Sequence, residues 1–290
     1  MKLLTKRWKI SSLESFSHKA LGKKPPRNSL GGFFISQKVP RYSVNEIQVT
    51  QDGAVLSVRL NRPEKKNAIN KGMYAQLNEA FVTATQEFDI RVVVLSGEGD
   101  SFTAGNDLFD FANDIPTDDS APGFQFIHNL HNFPKPLIAA VQGSAVGIGT
   151  TALLHCDVVY ASVDAKFAMP FVSLGLVPEA GSSFLLPRVV GHVRAAEILL
   201  TGRTFDSQEA KEIGLINDIV TDPYAAAMKT AQRIAAQPPT AVMNTKALLK
   251  SGNHAQVEAV MRAEGELFRI ALASDEAQSA FMAFFSGKAK

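Results

Sequence analysis

Residues 139–183, from Ala139 to Ser183, read AAVQGSAVGIGTTALLHCDVVYASVDAKFAMPFVSLGLVPEAGSS. Leu137–Val141, which leads into this stretch, is a short apolar run of buried-strand type. Gly143, Gly147 and Gly149 then break the pattern within seven residues. A helix-compatible segment, Thr150–His155, follows at once, and after it a second strand-like run, Asp157–Ala161. Strand, glycine turn, helix and strand describe one βαβ-like unit. Glycines ahead of a helix let backbone N–H groups approach a ligand with no side chain in the way. The first helical turn adds unpaired N–H donors and a positive dipole end. A turn built this way suits an anionic oxygen, although glycines taken alone are equally read as turn punctuation.

The chain has 290 residues, enough for one large α/β domain or two smaller ones and for a substantial core. With 46% hydrophobic and 20% charged residues the composition is globular, which excludes disorder for the body. Net charge is +2, and the positive excess is concentrated: residues 1–44 carry ten Lys and Arg against one acid, Glu14. The remainder is acidic on balance, which argues against a nucleic-acid partner. Cys156 is the only cysteine, so no intrachain disulfide can form. Pro136–Cys156 lacks Asp, Glu, Lys and Arg over membrane-span length. Its glycines, with Gln142, Thr150 and Thr151, mark it as core and not as a membrane span.

Three regions are expected. Residues 1–44 are basic, serine-containing and broken by Pro25-Pro26 and Gly31-Gly32. They read either as a disordered extension, which goes with a cytoplasmic protein, or as a transit peptide, which goes with the mitochondrial matrix. Residues 45–237 form the α/β body. Glu46–Thr50 and Ala54–Leu60 alternate around Asp52-Gly53, a hairpin signal. Apolar residues at Met73, Leu77, Ala80, Phe81 and Ala84 predict a helix within 69–88, and Val92–Ser96 a strand. Asp110–Pro122 reads as a polar loop with helical pieces, and Phe124–Phe133 as an amphipathic helix. Repeated ββα order makes the body α/β, without separate β and α halves. Residues 238–290 are a helical C-terminal region.

Several pieces of the chain, in order, resemble the crotonase superfamily, the enoyl-CoA hydratase/isomerase proteins, from about residue 45 to the C-terminus. Asn61-Arg-Pro-Glu-Lys-Lys-Asn-Ala-Ile69 is similar to the family's first coenzyme A loop, and Phe102-Thr-Ala-Gly-Asn-Asp-Leu108 to its first oxyanion-hole loop. Ala140–Gly149 is similar to the second oxyanion-hole loop, and Ala210–Leu215 to a later helix-to-strand element. The resemblance implies a spiral of ββα turns followed by helices that make trimer contacts. It also implies an acyl-CoA substrate, a homotrimer or dimer of trimers, and no cofactor beyond the coenzyme A carried by the substrate. Carried over by position, the oxyanion donors are the backbone amides of Asn106 and Ile148. The implied substrate contacts are Lys65, Lys66, Ala68, Ala104, Gly105, Asn106, Asp107, Leu108 and Ile148. Preorganised donors of this kind stabilise an enolate-like transition state by about 3–4 kcal/mol each.

Departures from the pattern narrow the activity that the resemblance implies. The family's hydratases use two glutamates, which fall at positions held here by Thr151 and Phe171. Neither side chain can act as a carboxylate acid or base. Glu179, in Val177-Pro-Glu-Ala-Gly181, occupies the position of the single catalytic glutamate of the Δ3,Δ2-enoyl-CoA isomerases. One carboxylate is sufficient to take a proton from C2 of a 3-enoyl-CoA and return it at C4. A base that becomes the acid needs an apolar setting, for which Phe109, Phe171, Val172 and Leu176 are the expected walls. The rivals are another acyl-CoA enzyme of the fold, whether hydratase, lyase or hydrolase, and a non-catalytic acyl-CoA-binding homologue. Without the resemblance, Glu179 reads as a helix-start or solvated acid.

Other signals carry less. His128 and His131 have helical metal-ligand spacing but no third ligand, so no metal site is expected and a surface or interface role is. His155-Cys156-Asp157 reads as packing at a helix-to-strand junction and not as a nucleophile. Asp107 and Asp110 read as loop acids or helix starts.

Overall fold

The hairpin around Asp52-Gly53 forms. In the computed structural model, which describes residues 46–113, 116 and 118–287, β1 (Ile47–Asp52) pairs antiparallel with β2 (Val55–Leu60), with Asp52 opposite Val55. Next comes α1 (Lys71–Gln86), capped by Asn70, whose side chain accepts from the Met73 N–H at 2.8 Å. It buries Met73, Tyr74, Leu77, Ala80, Phe81 and Ala84, the expected stripe plus a tyrosine. Then follow β3 (Val92–Gly97), α2 (Leu108–Asn113), α3 (Pro122–Asn132) and β4 (Leu137–Val141). The central stretch supplies β5 (Ser144–Val146), α4 (Ile148–Thr151), β6 (Val158–Ala161) and β7 (Lys166–Ala168). Beyond it run α5 (Ser182–Val190), α6 (His192–Thr201), β8 (Thr204–Asp206), α7 (Ser207–Glu212), β9 (Asp218–Ile219) and α8 (Pro223–Ala235). Three further helices, α9 (Pro239–Ser251), α10 (His254–Leu272) and α11 (Asp275–Phe285), complete the described chain.

The main sheet has the order β1-β2-β3-β4-β6-β9 and is parallel from β2 onward. Val92, Val93, Val94 and Leu95 in β3 are all buried, so this strand is covered on both faces. On one face Val55, Val92, Val94, Ile138 and Ala140 pack against Ala227 and Ala231 of α8. The opposite face, with Val93, Leu95 and Ala139, belongs to the larger core that includes α1 and α3.

The βαβ reading of the central stretch needs one correction. β4 and β6 are parallel neighbours, but the glycine turn between them also contains β5. That strand pairs with β7, and β7 with β8, in a second, three-stranded sheet. Three residues bounded by glycines are too short to show a period of two in sequence. The helix after the turn is also shorter than expected: α4 ends at Thr151, and Ala152–His155 continues as a 3₁₀ turn.

The described residues from 46 onward belong to one compact unit, Ser43–Lys290. Lys246 of α9 is buried; its ammonium donates to the Lys135 carbonyl at 2.6 Å and to Asp157 Oδ2 at 2.7 Å. The same Asp157 oxygen accepts the Leu137 N–H at the start of β4, so one carboxylate fastens α9 to the main sheet. The expected leader, residues 1–44, lies outside the described residues. Among the described residues no helix is long and apolar enough to cross a membrane.

Candidate active site

Two loops meet at the edge of the two sheets. The Thr103 N–H donates to the Ser144 carbonyl at 2.9 Å, and the Val146 N–H to the Thr103 carbonyl at 3.1 Å. Gly105 has φ +90°, and a Cβ there would lie 2.7 Å from the Val146 carbonyl oxygen. At Gly149 a Cβ would lie 2.4 Å from Thr103 Cγ2. The segments around 105 and 147 therefore touch backbone to backbone, which only glycine at 105 permits.

The amides on either side of this contact are mostly taken up. Gly105 donates its N–H to Thr103 Oγ1 at 3.0 Å, Asp107 to the Ile69 carbonyl at 2.9 Å, Gly147 to the Ala168 carbonyl at 2.9 Å and Thr150 to the Gly147 carbonyl at 2.9 Å. Among the described residues the intervening N–H groups of Asn106, Ile148 and Gly149 have no acceptor. Ile148 opens α4, where a free N–H is inherent to the helix start. Asn106 and Ile148 are the two residues expected from sequence as oxyanion donors.

The 61–69 loop buttresses the first of these segments. Asn67 is fully buried; its amide donates to the carbonyls of Glu98 and Ser101 at 2.8 and 2.7 Å, and its Oδ1 accepts the Arg62 N–H at 2.8 Å. The Ala104 N–H donates to the Lys66 carbonyl at 2.8 Å. Arg62 also pairs with Asp107 at 2.7 Å, while the other Asp107 oxygen accepts the Phe109 N–H, so this acid starts α2 as expected. Asp110 accepts the Lys71 N–H at 2.8 Å. Lys65 and Lys66 are exposed beside this loop.

Glu179 is buried, in the turn that precedes α5. The reading of it as a solvated or helix-start acid does not hold. Its Oε1 accepts the Thr151 hydroxyl at 2.5 Å. Burial pushes its carboxyl up to about 8, the Thr151 hydrogen bond works against that rise, and the charge of Glu264 adds to it. Tyr74, also buried, donates its hydroxyl to Asn106 Oδ1 at 2.5 Å. Burial and then the Glu179 charge hold the Tyr74 phenol well above its ordinary range, so it is neutral.

Glu179, Tyr74, Asn106 and Asp107 line one cavity of about 460 Å³, with Ile69, Phe109, Phe124, Ile127 and Phe268 as apolar wall. A second cavity of about 550 Å³ shares Glu179, Phe124 and Ile127 with the first, and it is lined further by Asn78, Asn129, Met261 and Arg262. Of the expected contact residues, Asn106 and Asp107 reach the first cavity wall; Lys65, Lys66, Ala68, Ala104, Gly105, Leu108 and Ile148 do not line it. Of the expected apolar walls only Phe109 does. Phe171 and Leu176 are buried in the core and Val172 is exposed, because the segment 171–176 turns away into a 3₁₀ turn packed on α11. The aromatic and aliphatic wall comes instead from α3 and α10. Tyr74 and Thr151 were not read as site residues: one fell on the core stripe of α1, and the other stood out only as a missing glutamate.

The remaining signals resolve as packing. Burial pushes the Cys156 thiol up to about 12, and Asp157 adds to that, which leaves no thiolate. His128 is exposed, but His131 is buried, its ring 4.3 Å from that of His254, so a surface role fails for it. Among the described residues no cluster of three or more His, Cys, Asp or Glu could hold a metal ion.

A family profile described as Enoyl-CoA hydratase/isomerase matches residues 50–289. Enoyl-CoA delta isomerase 2 of Rattus norvegicus is 34% identical over 252 residues, covering 84% of this chain and 64% of its own length. The chain thus spans less than two thirds of the length of that relative. The 2,3-dehydroadipyl-CoA hydratase of Escherichia coli is 33% identical over 246 residues, covering 83% of this chain and 96% of its own. Among solved structures, Pseudomonas aeruginosa OdaA superposes with a TM-score of 0.81 at 42% identity, covering 83% of this chain and 98% of its own.

Proposed function

The chain belongs to the enoyl-CoA hydratase/isomerase family, and we propose that within it this protein moves the double bond of a 3-enoyl-CoA to give the trans-2-enoyl-CoA. One observation carries the reading: a single buried carboxyl, Glu179, lines the cavity that Asn106 also lines. The positions that hold a hydratase's two glutamates are Thr151, a hydroxyl that serves Glu179, and Phe171, which is buried core.

In this reading the thioester oxygen sits between the Asn106 and Ile148 amides, whose N–H groups are free for it. Glu179 takes the C2 proton. The dienolate charge that develops on the oxygen meets donors already in place. Protonated Glu179 then delivers the same proton to C4. A carboxyl with proton affinity near 8 is a stronger base than an ordinary glutamate, and its acid form persists long enough to return the proton. The apolar wall of Phe124, Ile127 and Phe268 keeps water from the dienolate. In this reading coenzyme A enters as part of the substrate with no further cofactor, and Lys65 and Lys66, exposed on the 61–69 loop, meet its phosphates. The acyl tail beyond C4 passes Ile127 towards the second cavity. The same reading makes the protein a homotrimer or dimer of trimers, and Leu248, Leu249, Leu267 and Ile270 stand exposed on α9 and α10 for such contacts.

The test is product analysis with 3-enoyl-CoA and 2-enoyl-CoA in parallel, on the protein and on Glu179→Gln. Isomerisation is expected to fall by about 10³-fold in the variant, the loss of general acid–base catalysis, with the far-UV spectrum unchanged. Full isomerase activity in Glu179→Gln, or 3-hydroxyacyl-CoA as the main product of the unmodified protein, overturns the reading.

A further inference from the structure

The turn that carries Glu179 is gripped from far along the chain. Ala180 has φ +58°, a left-handed conformation that costs a residue with a Cβ. Both sides of it are pinned. The His155 ring N–H donates to the Ala180 carbonyl at 2.7 Å. Glu264, buried on α10, takes up the groups that follow: Oε2 accepts the Gly181 N–H at 2.6 Å, and Oε1 accepts the Ser183 N–H at 2.9 Å and the Ser183 hydroxyl at 2.5 Å.

We propose that Glu264 is a positioning residue for Glu179: its carboxylate clamps the first turn of α5, holds the Ala180 turn in its left-handed form, and stands as a fixed negative charge behind the proton carrier. This rests on the assignment of Glu179 as that carrier. The clamp explains how a strained turn stays put, since two independent anchors over-determine it.

The charge follows from counting donors. Glu264 accepts from three and Glu179 from one, so of the two buried carboxyls Glu264 ionises first and Glu179 retains the proton. The other ionisable groups around Glu179 do not substitute for it. Tyr74 on α1 and His155 beneath Ala180 are buried and neutral, the imidazole because burial, chiefly, lowers it to about 3. Lys71, Asp107, Asp110 and Asp118 line the first open cavity, and Asp119, His128, Glu258 and Arg262 the second.

The experiment titrates the carboxyl carbons of the full chain, labelled with [¹³C]glutamate, by NMR, with Glu179 assigned by its loss in Glu179→Gln. In Glu264→Gln the Glu179 midpoint is expected to fall by about one unit, a tenfold weaker hold on the proton. The acid limb of kcat/KM moves down with it. Glu264→Asp keeps the charge but is one methylene too short for the clamp, so kcat drops about tenfold while the limb stays in place. A Glu179 midpoint unmoved in Glu264→Gln overturns the proposal. If that variant does not fold, the unmodified protein decides: Glu264 titrating above Glu179 overturns it, and Glu264 titrating below supports it. A shifted midpoint without any turnover of 3-enoyl-CoA leaves the proposal standing and removes only the isomerase reading.

Discussion

Thr151 shows how one side chain can change the chemistry of a site without touching the reacting bond. Its hydroxyl donates to Glu179 Oε1 and favours the ionised carboxylate against burial. Thr151→Val keeps the branched shape and removes that donor. The Glu179 proton affinity should then rise, moving the acid limb of kcat/KM to higher pH. Activity at pH 7 should fall about tenfold and recover towards the unmodified level above the new limb, a change of about one unit. A limb that moves down, or a loss equal at every pH, contradicts this arrangement. Glu179 was legible because a carboxylate appears where a turn follows a proline, in company with the right loops. Thr151 and Tyr74 were not, since a threonine in a short helix and a tyrosine on an apolar stripe look like packing until the cavity brings them beside the carboxylate.

At the scale of elements, the site depends on the backbone contact between the segments around Gly105 and Val146. Gly105→Ala would bring a Cβ to 2.7 Å from a carbonyl oxygen at φ +90°, so the first segment must move away and carry the Asn106 amide with it. The expected result is a loss in kcat of roughly 10²–10³-fold, the scale of one lost oxyanion donor, with KM much less affected. Steady-state kinetics at saturating substrate reads the difference; an effect confined to KM goes against the role of this contact. The long elements here were readable from sequence, α1 from its 3.6-residue stripe and β3 from its compact β-branched run. The second sheet was not. β5, β7 and β8 have three residues each, and their pairing is fixed by partners 20 and more residues away and not by local pattern. The apolar wall was misplaced to 171–176 for the same reason: proximity in sequence to Glu179 says nothing about what α3 and α10 bring from elsewhere.

For the whole molecule, the buried ionisable groups give stability a particular dependence on pH. Burial chiefly lowers His131 to about 4 and His155 to about 3, so below 6.5 the unfolded imidazoles take protons that the folded ones refuse. Stability therefore climbs as pH rises from the folded values to 6.5. Glu179 acts in the opposite sense. Folded, it keeps its proton up to about 8; unfolded, it loses it near 4.5, so stability declines across that window. Glu264, also raised by burial, has the same sign. Between 4.5 and 6.5 the two histidines outweigh the single proton of Glu179, and from 6.5 to 8 Glu179 acts without them. Above 8 the unfolded form of Lys250, which burial lowers to about 8 in the fold, binds the extra proton and stability rises again. A melting temperature that peaks near pH 6.5 and dips towards pH 8 is the expected profile. One proton over 1.5 pH units is at most roughly 2 kcal/mol, or about 4–8 °C for a fold of this size. Glu179→Gln, which cannot ionise, should flatten the decline from 6.5 to 8 and melt higher than the unmodified protein at pH 8. Thermal melts of both proteins across that range test it; parallel curves would mean that Glu179 ionises as freely in the fold as in the unfolded chain, and the dry setting required for returning the proton to C4 would be lost with it.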